Sequence, residues 1–366
     1  MELQALVPGK NPGLSIAEAL AFLDKTETEY KVYDVSLYGL IVQSQEDLGK
    51  YADLLGGTLK ICRIEEKIKK KDLADYPPHG QPGSLHAENT LLSTFKQKWQ
   101  TKKGGVYSPA DLLKKRIREE VVIQGTDKLY IGKTIAVNNP FEQARRDMKK
   151  PARIGLTMAP SRAMILVNLS KARDNMLDPF CGSGTIPIEA IVNGVKEVIA
   201  SDKNKKAVEA ALENMKWAKK KYNSETEIKA EVCDARKIHE KFSGIDAIAT
   251  EPELGPPLTN PVPKKDAETI QKYLHNMYSR FMESAWKALC DNGKVAIVLP
   301  AIMSKKGRFI RQRPEFKGFK LADPFKKIPK NQKKRWMHKT IIDEEREPGK
   351  KRVVAREFAV FEKKRF

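Results

Sequence analysis

The chain has 366 residues, 40% of them apolar, with a formal net charge of +21. That length suits two or three domains with ordinary cores. No apolar run reaches the roughly 18 residues of a membrane span. Met1–Lys10 lacks the basic and apolar regions of a signal peptide. Cys62, Cys181, Cys233 and Cys290 are scattered without metal-ligand spacing. The reading is a cytoplasmic chain with reduced thiols, no membrane segment and no metal site.

The first elements, in order, are a strand Leu3–Val7, a helix Ile16–Leu23 capped by Ser15, and strands Tyr30–Val35 and Gly39–Val42. A helix Gln45–Leu55 ended by Gly56-Gly57 and a strand Leu59–Ile64 follow. The order βαββαβ is a ferredoxin-like pattern, and a common scaffold of that kind says little about function. Asp72–Asn89 reads as a linker, with His79 and His86 as surface loop residues. Thr90–Trp99 and Pro109–Glu120 read as helices. Val121–Gln124 and Leu129–Val137 read as strands joined by Gly125-Thr126-Asp127.

Asn139–Arg153 is a connector, and Thr157-Met158-Ala159-Pro160 opens a helix over Ser161–Leu169. Met176–Ala190 then passes from an apolar strand to an acid, two glycines spaced by one residue, and a helix. Glycines let a ligand approach the backbone, and the free N–H groups of a helix start favour an anionic group. Glu197–Asp202 is a second strand ending in an acid. Asp202 lies 24 positions after Asp178, close to the spacing that puts a carboxylate on ribose hydroxyls in nucleotide folds. Asn204 caps the helix Lys205–Tyr222. Ile228–Val232, Ile245–Ala249 and Lys294–Leu299 read as strands, with a helix over Ala267–Cys290 before the last of them. Strands alternating with helices imply a parallel sheet, which binds ligands at the carboxyl ends of its strands. Asp178, Asp202, Asp234 and Glu251 all fall at those ends.

Residues 301–366 carry +14 of the net charge. Lys305, Lys306, Arg308, Arg311, Lys333, Lys334 and Arg335, interleaved with Phe309, Phe316, Phe319, Phe325 and Trp336, suit phosphate neutralisation plus base stacking. We therefore take Lys305, Lys306, Arg308, Arg311, Lys333, Lys334, Arg335 and Trp336 as candidate nucleic-acid-binding residues, RNA or double-stranded DNA by charge alone. A solvated lysine-rich face is the plainer alternative.

Asp178-Pro179-Phe180-Cys181-Gly182-Ser183-Gly184-Thr185 resembles the first motif of S-adenosylmethionine-dependent amino-methyltransferases. That resemblance implies S-adenosylmethionine as cofactor, held by Met158, Asp178, Phe180, Gly182, Gly184, Asp202, Lys203, Asp234 and Ala235, with Asp234 on the adenine amine. These families place an acid or amide, two prolines and an aromatic after the fourth strand. The matching stretch here is Glu251-Pro252-Glu253-Leu254, which departs from the pattern at the second proline and at the aromatic. The resemblance makes Glu251, Pro252 and Leu254 the catalytic candidates. Cys181 reads as a small buried residue of the turn.

The whole chain is similar to the archaeal and eukaryotic tRNA guanine-10 N2-methyltransferases, which set a THUMP domain before the catalytic domain. The similarity is carried by about 139–300 and by the ending Arg352–Phe361. It implies an α/β fold with a ferredoxin-like module over 1–70 and a small, reduced THUMP-like α/β module over 71–138. A connector with a Rossmann-like class I methyltransferase domain fills 139–366. It also implies methylation of an exocyclic amine, guanine N2, in tRNA. A catalytically degenerate RNA-binding protein and a DNA amino-methyltransferase are the alternatives.

Overall fold

The structure, a computed structural model, describes residues 2–76, 83–87, 91, 119–139, 149–152, 158–311, 315–336, 338, 340–343 and 353–364. His79, the predicted helix Thr90–Trp99, nearly all of Pro109–Glu120, most of the connector, Arg313 and Arg352 lie outside the described residues. The chain divides into two compact units, Met1–Arg145 with Phe325–Met337, and Arg146–Pro324 with His338–Phe366.

The first unit holds β1 (Glu2–Pro8), α1 (Pro12–Lys25), β2 (Tyr30–Val35), β3 (Leu40–Ser44), β4 (Thr58–Lys69), β5 (Gly83–His86), β6 (Glu120–Gln124) and β7 (Lys128–Val137). They form one seven-stranded sheet in the order β2-β3-β1-β4-β7-β6-β5, antiparallel except for the β5/β6 pair. The sequence reading drew separate modules over 1–70 and 71–138. The structure joins them, because β4 runs on past residue 64 and pairs along its length with β7, from Lys60↔Val137 to Lys69↔Lys128.

Three local expectations also change. Asn11, not Ser15, caps α1: its side chain accepts from the Leu14 N–H at 3.1 Å, and Pro12 sits in the first turn, where its missing donor costs nothing. Ser15 is then inside the helix, donating from its hydroxyl to the Gly57 carbonyl at 2.7 Å. The predicted helix over Gln45–Leu55 is a 3₁₀ segment, Leu48–Leu54, entered through Asp47, which accepts from the Gly49 N–H at 2.8 Å. His86 lies on β5 beside β6, not in a loop.

The segment Phe325–Met337 belongs to the first unit and not with the rest of 139–366. Lys327 pairs with Asp24 at 2.5 Å and lies 4.4 Å from the centre of the Tyr30 ring. Gln332 accepts from the Val35 N–H at 3.0 Å. Phe325 and Trp336 pack ring on ring at 5.3 Å, both buried.

The second unit begins with α2 (Pro160–Ser170). Then come β8 (Asn175–Asp178), α3 (Thr185–Val192), β9 (Glu197–Asp202), α4 (Lys205–Lys221), β10 (Glu227–Val232) and β11 (Ile245–Thr250). α5 (Lys264–Ala288), β12 (Leu289–Met303), β13 (Phe309–Ile310), β14 (Phe319–Leu321), β15 (Ile341–Asp343) and β16 (Val354–Lys363) complete it. The sheet order is β10-β9-β8-β11-β12-β16-β14, parallel from β10 to β12 and antiparallel at β16 and β14. β13 pairs with β12, and β15 with β16. The chain winds outward from β8 to β10, then returns to β11 on the other side of β8. Two neighbouring strands that lead off in opposite directions leave a crevice at their carboxyl ends. This is a Rossmann-like α/β domain. α5 buries Leu274, Tyr278, Phe281, Met282 and Ala285 against the sheet, the one-sided stripe expected of a helix on a sheet face. Among the described residues, no helix is long and apolar enough to cross a membrane.

Candidate active site

Apolar β8 ends at Asp178, and the chain turns through Gly182 (φ +49°) and Gly184 (φ +83°) into α3. Both φ values are left-handed, where a Cβ is strained. A Cβ on Gly182 would meet nothing within 4 Å, so open space lies beside the turn, whereas one on Gly184 would press on the Ala211 backbone at 3.1 Å. Asp202 at the end of β9 accepts from the Gly182 N–H at 3.2 Å and from the Asn204 N–H at 2.9 Å. One carboxylate therefore ties the glycine turn to the start of α4. Asn214 on α4 closes the turn from beneath, donating to the Ser183 carbonyl at 2.7 Å.

Asp178 is fully enclosed, 1% exposed. One of its oxygens accepts from the Thr250 hydroxyl at 2.7 Å and from the Phe180 N–H at 3.2 Å. The other is buried and has no hydrogen-bond partner among the described residues. Burial pushes its carboxyl up to about 7, with Asp202 and Glu251 adding to the rise against the pull of Thr250 and the Phe180 amide. Burial likewise pushes the Cys181 thiol far up, which keeps it from acting as a nucleophile.

Asp234 follows β10 and caps the next turn, accepting from the Arg236 N–H at 2.9 Å. The Arg236 side chain folds back onto both carboxylate oxygens, with Nε 2.9 and 3.1 Å away. This pairing holds the Asp234 carboxyl down at about 2. Glu251 leads out of β11 and is also claimed by an arginine. Arg356 Nε donates to one of its oxygens, and Nη2 lies 3.5 Å from the other. Tyr278 pins the loop that follows, donating its hydroxyl to the Glu253 carbonyl at 2.6 Å.

These residues surround a cavity of about 680 Å³ at the carboxyl ends of the strands. Of the sequence candidates, Phe180, Asp202, Lys203, Asp234, Ala235, Glu251, Pro252 and Leu254 line it. Gly182 borders it through its hydrogen bond to Asp202. Asp178 and Met158 are buried and are not among the lining residues. The sequence reading missed Arg236, Arg356 and the α5 residues Tyr273, Asn276, Met277 and Arg280, which complete the wall. A signal for Arg356 existed: Arg356-Glu357 interrupts the otherwise apolar run 353–361 with two charges. The α5 residues fall at i, i+3, i+4 and i+7, a helical stripe opposite the buried one.

The candidate RNA-binding residues divide. Lys305, Lys306 and Arg308 are exposed on a turn of the second unit closed by the Ser304 hydroxyl, which donates to the Arg308 carbonyl at 2.7 Å. Arg311 pairs with Glu357 at 3.3 Å. Lys333 and Arg335 belong to the first unit, and the Lys334 side chain lies outside the described residues. Burial withdraws four of the five interleaved aromatics from the expected stacking role and leaves Phe309 half-buried. Phe316, Phe319, Phe325 and Trp336 are all buried, Trp336 at 5% exposed, because each ring closes a core and cannot also meet a base. Among the described residues, no three His, Cys, Asp or Glu side chains converge as a metal site.

A doubly wound sheet with a glycine turn and a row of strand-end acids is the layout of a nucleotide-type cofactor domain. Residues 143–321 match the model of the UPF0020 family, described as an RMKL-like methyltransferase domain. The chain is 33% identical over 180 residues to the tRNA (guanine(10)-N2)-dimethyltransferase of Methanothermobacter thermautotrophicus, an alignment covering 48% of each protein. It is 30% identical over 208 residues to the tRNA (guanine(6)-N2)-methyltransferase of Thermus thermophilus, covering 54% of each. The chain thus spans about half the length of these curated relatives. The crystal structure of TrmN from Thermus thermophilus superposes with a TM-score of 0.52 at 18% identity, covering 99% of this chain and 100% of that one. At that identity the likeness concerns the fold.

Proposed function

We propose that this chain is an S-adenosylmethionine-dependent tRNA methyltransferase acting on the exocyclic N2 of a guanine. One observation carries the reading: a single cavity gathers Asp202, Asp234 and Glu251 beside a glycine turn that leaves space for a ligand. The residues suit the cofactor. Asp202 keeps lone pairs for ribose hydroxyls beyond its two backbone contacts. Asp234 would accept from the adenine amine, and the buried Asp178 oxygen with no partner among the described residues would add negative potential at the turn for a cationic cofactor.

The cofactor supplies an electrophilic methyl group on a sulfonium. The chain's own work is positioning and exclusion of water. Glu251 and the Pro252 carbonyl accept the hydrogens of the target amine, which turns its lone pair out of the ring. Arg356 fixes the Glu251 carboxylate during this step. The surplus amine proton leaves afterwards, to Glu251 or to water.

We read the first four strands with α1 as the ferredoxin-like module, supported by their order β2-β3-β1-β4 and their antiparallel pairing. β5–β7 form its reduced THUMP-like extension. The exposed turn Lys305–Arg308 supplies phosphate contacts. A cytoplasmic setting fits this substrate. A second reading, an RNA-binding protein without turnover, is favoured by one observation: Arg356 already engages Glu251.

Incubating the purified chain with methyl-labelled cofactor and total tRNA, then digesting to nucleosides for mass spectrometry, separates the two. N2-methylated guanosine is the expected product. Cofactor uptake and tRNA binding with no label transferred would leave the second reading standing.

A further inference from the structure

α5 turns two faces in opposite directions. Leu274, Tyr278 and Phe281 go into the core, while Tyr273, Met277 and Arg280 face the cavity. Tyr273 is 66% exposed, the highest among the large apolar side chains left at the surface of the described residues. The ring contributes little to the core and stands in the cavity wall, its face open to solvent. It shares the cavity with Glu251, Pro252 and Leu254, and Leu254 stands where the motif it resembles carries an aromatic. The site that orients the amine therefore lacks a ring on its own loop and has one on the facing helix.

The same wall holds two guanidinium groups, Arg236 and Arg280. Arg236 is committed to Asp234. Arg280 has no hydrogen-bond or ion-pair partner among the described residues. Arg280 lies seven residues from Tyr273, two helical turns or about 10 Å of rise, and an unpaired cation on the same helix face as an exposed ring matches a nucleotide, which offers a π-face and a phosphate. The adenosine part of the cofactor has a ring but no phosphate, so it satisfies only half of this pair.

Resting on the function proposed above, the geometry points to Tyr273 as the stacking platform for a base of the RNA substrate, with Arg280 on the neighbouring phosphate. Leu254 then serves as an apolar wall, and the aromatic contact has moved from the catalytic loop to α5.

The test uses the full chain and total tRNA, with filter binding for tRNA and calorimetry for S-adenosylmethionine. Stacking of one base corresponds to about 5- to 150-fold in affinity. Tyr273→Ala is expected to weaken tRNA binding within that range and to leave cofactor affinity within about twofold. Tyr273→Phe and Tyr273→Trp are expected to retain tRNA binding, because the ring and not the hydroxyl does the work. Arg280→Ala is expected to lower tRNA affinity and to flatten its salt dependence by about one phosphate contact.

Tyr273→Ala with unchanged tRNA binding overturns the inference. So does an equal loss of cofactor affinity, which would assign the ring to the cofactor purine. A Phe variant as weak as Ala overturns it as well, as does wild-type protein that binds cofactor but no tRNA. Absence of methyl transfer by wild-type protein that binds tRNA through Tyr273 would instead remove the enzymatic reading and leave the platform in place.

Discussion

Asp202 and Glu251 are two carboxylates in one cavity, held in opposite ways. Asp202 is fixed by the Gly182 and Asn204 backbone N–H groups, donors supplied by the same β9 end and the adjoining turn. Glu251 is fixed by the guanidinium of Arg356, 105 positions along the chain. A carboxylate on backbone amides keeps its charge and presents its remaining lone pairs to neutral hydroxyls. A carboxylate on an arginine is neutralised and aimed, and it yields a lone pair only along the direction the fork leaves open. The first arrangement suits steady grip of a sugar. The second suits orientation of one amine, and under the proposed function it makes the Glu251 side of the cavity depend on the last strand.

The largest effects should fall on this division itself. Asp202→Ala removes an acceptor for ribose and also frees the Gly182 N–H. At about 1.5–3 kcal/mol for each hydrogen bond to a charged group, the loss of two is expected to cost about 10²–10⁴-fold in cofactor affinity. Calorimetry with S-adenosylmethionine measures it. Glu251→Ala should leave that affinity within a few fold and lower turnover on tRNA by about 10²–10³, the scale of one lost donor or acceptor aimed at a transition state. Cofactor binding lost equally in both variants would erase the distinction, and full turnover by Glu251→Ala would end the catalytic assignment.

A smaller effect sharpens the Glu251 side. Arg356→Ala keeps the carboxylate but releases its orientation, so turnover is expected to fall by about 10–100-fold while cofactor affinity holds. Arg356→Lys should rescue only part of the loss, because an ammonium cannot reproduce the fork on two oxygens. Single-turnover rates with saturating tRNA separate this from a binding defect. Faster transfer by Arg356→Ala would reverse the role, making the arginine a competitor for Glu251.

The same division explains what the sequence makes legible. Asp178, Gly182, Gly184 and Asp202 are fixed by contacts within one strand–turn–helix unit and the strand beside it, so local pattern and spacing were enough to find them. The sheet with strand-end acids was legible for the same reason. Arg356 was not, because its partner is distant in sequence, and only the pairing of β16 with β12 brings the last strand to the cavity. Tyr273 was hidden because a helix read only by its range does not say which of its side chains meets a cavity. Charge misled at the carboxyl-terminal end: aromatics among lysines look like a binding strip, yet Phe316 and Phe319 close the sheet domain, and Phe325 and Trp336 close the first unit. Ser15 was a sound cap by residue type, but Pro12 one turn earlier starts the helix sooner.

A third carboxylate on the same crest has neither kind of support for half of its atoms, and its effect is the smallest and is confined to pH. Asp178 has one oxygen on Thr250 and Phe180 and the other buried without a partner among the described residues, with its carboxyl pushed up to about 7. An unfolded chain ionises this group near 3.9. Below that value both states hold the proton, and the group's contribution to stability is fully present. As pH rises from about 4 to 7, only the unfolded state releases it, so the ligand-free protein loses stability, and above 7 the loss is complete. Asp178→Asn keeps a carbonyl for Thr250 and Phe180 and places an amide, not a charge, beside Asp202 and Glu251. Its Tm should equal that of the wild type at pH 4 and exceed it increasingly up to about pH 7, each kcal/mol corresponding to roughly 2–4 °C in a unit of this size. Saturating cofactor should shrink the difference, because a cation beside the turn favours the ionised wild-type carboxylate. Parallel Tm curves for the two proteins across this range would mean that Asp178 is solvated through the cavity and titrates like an ordinary acid.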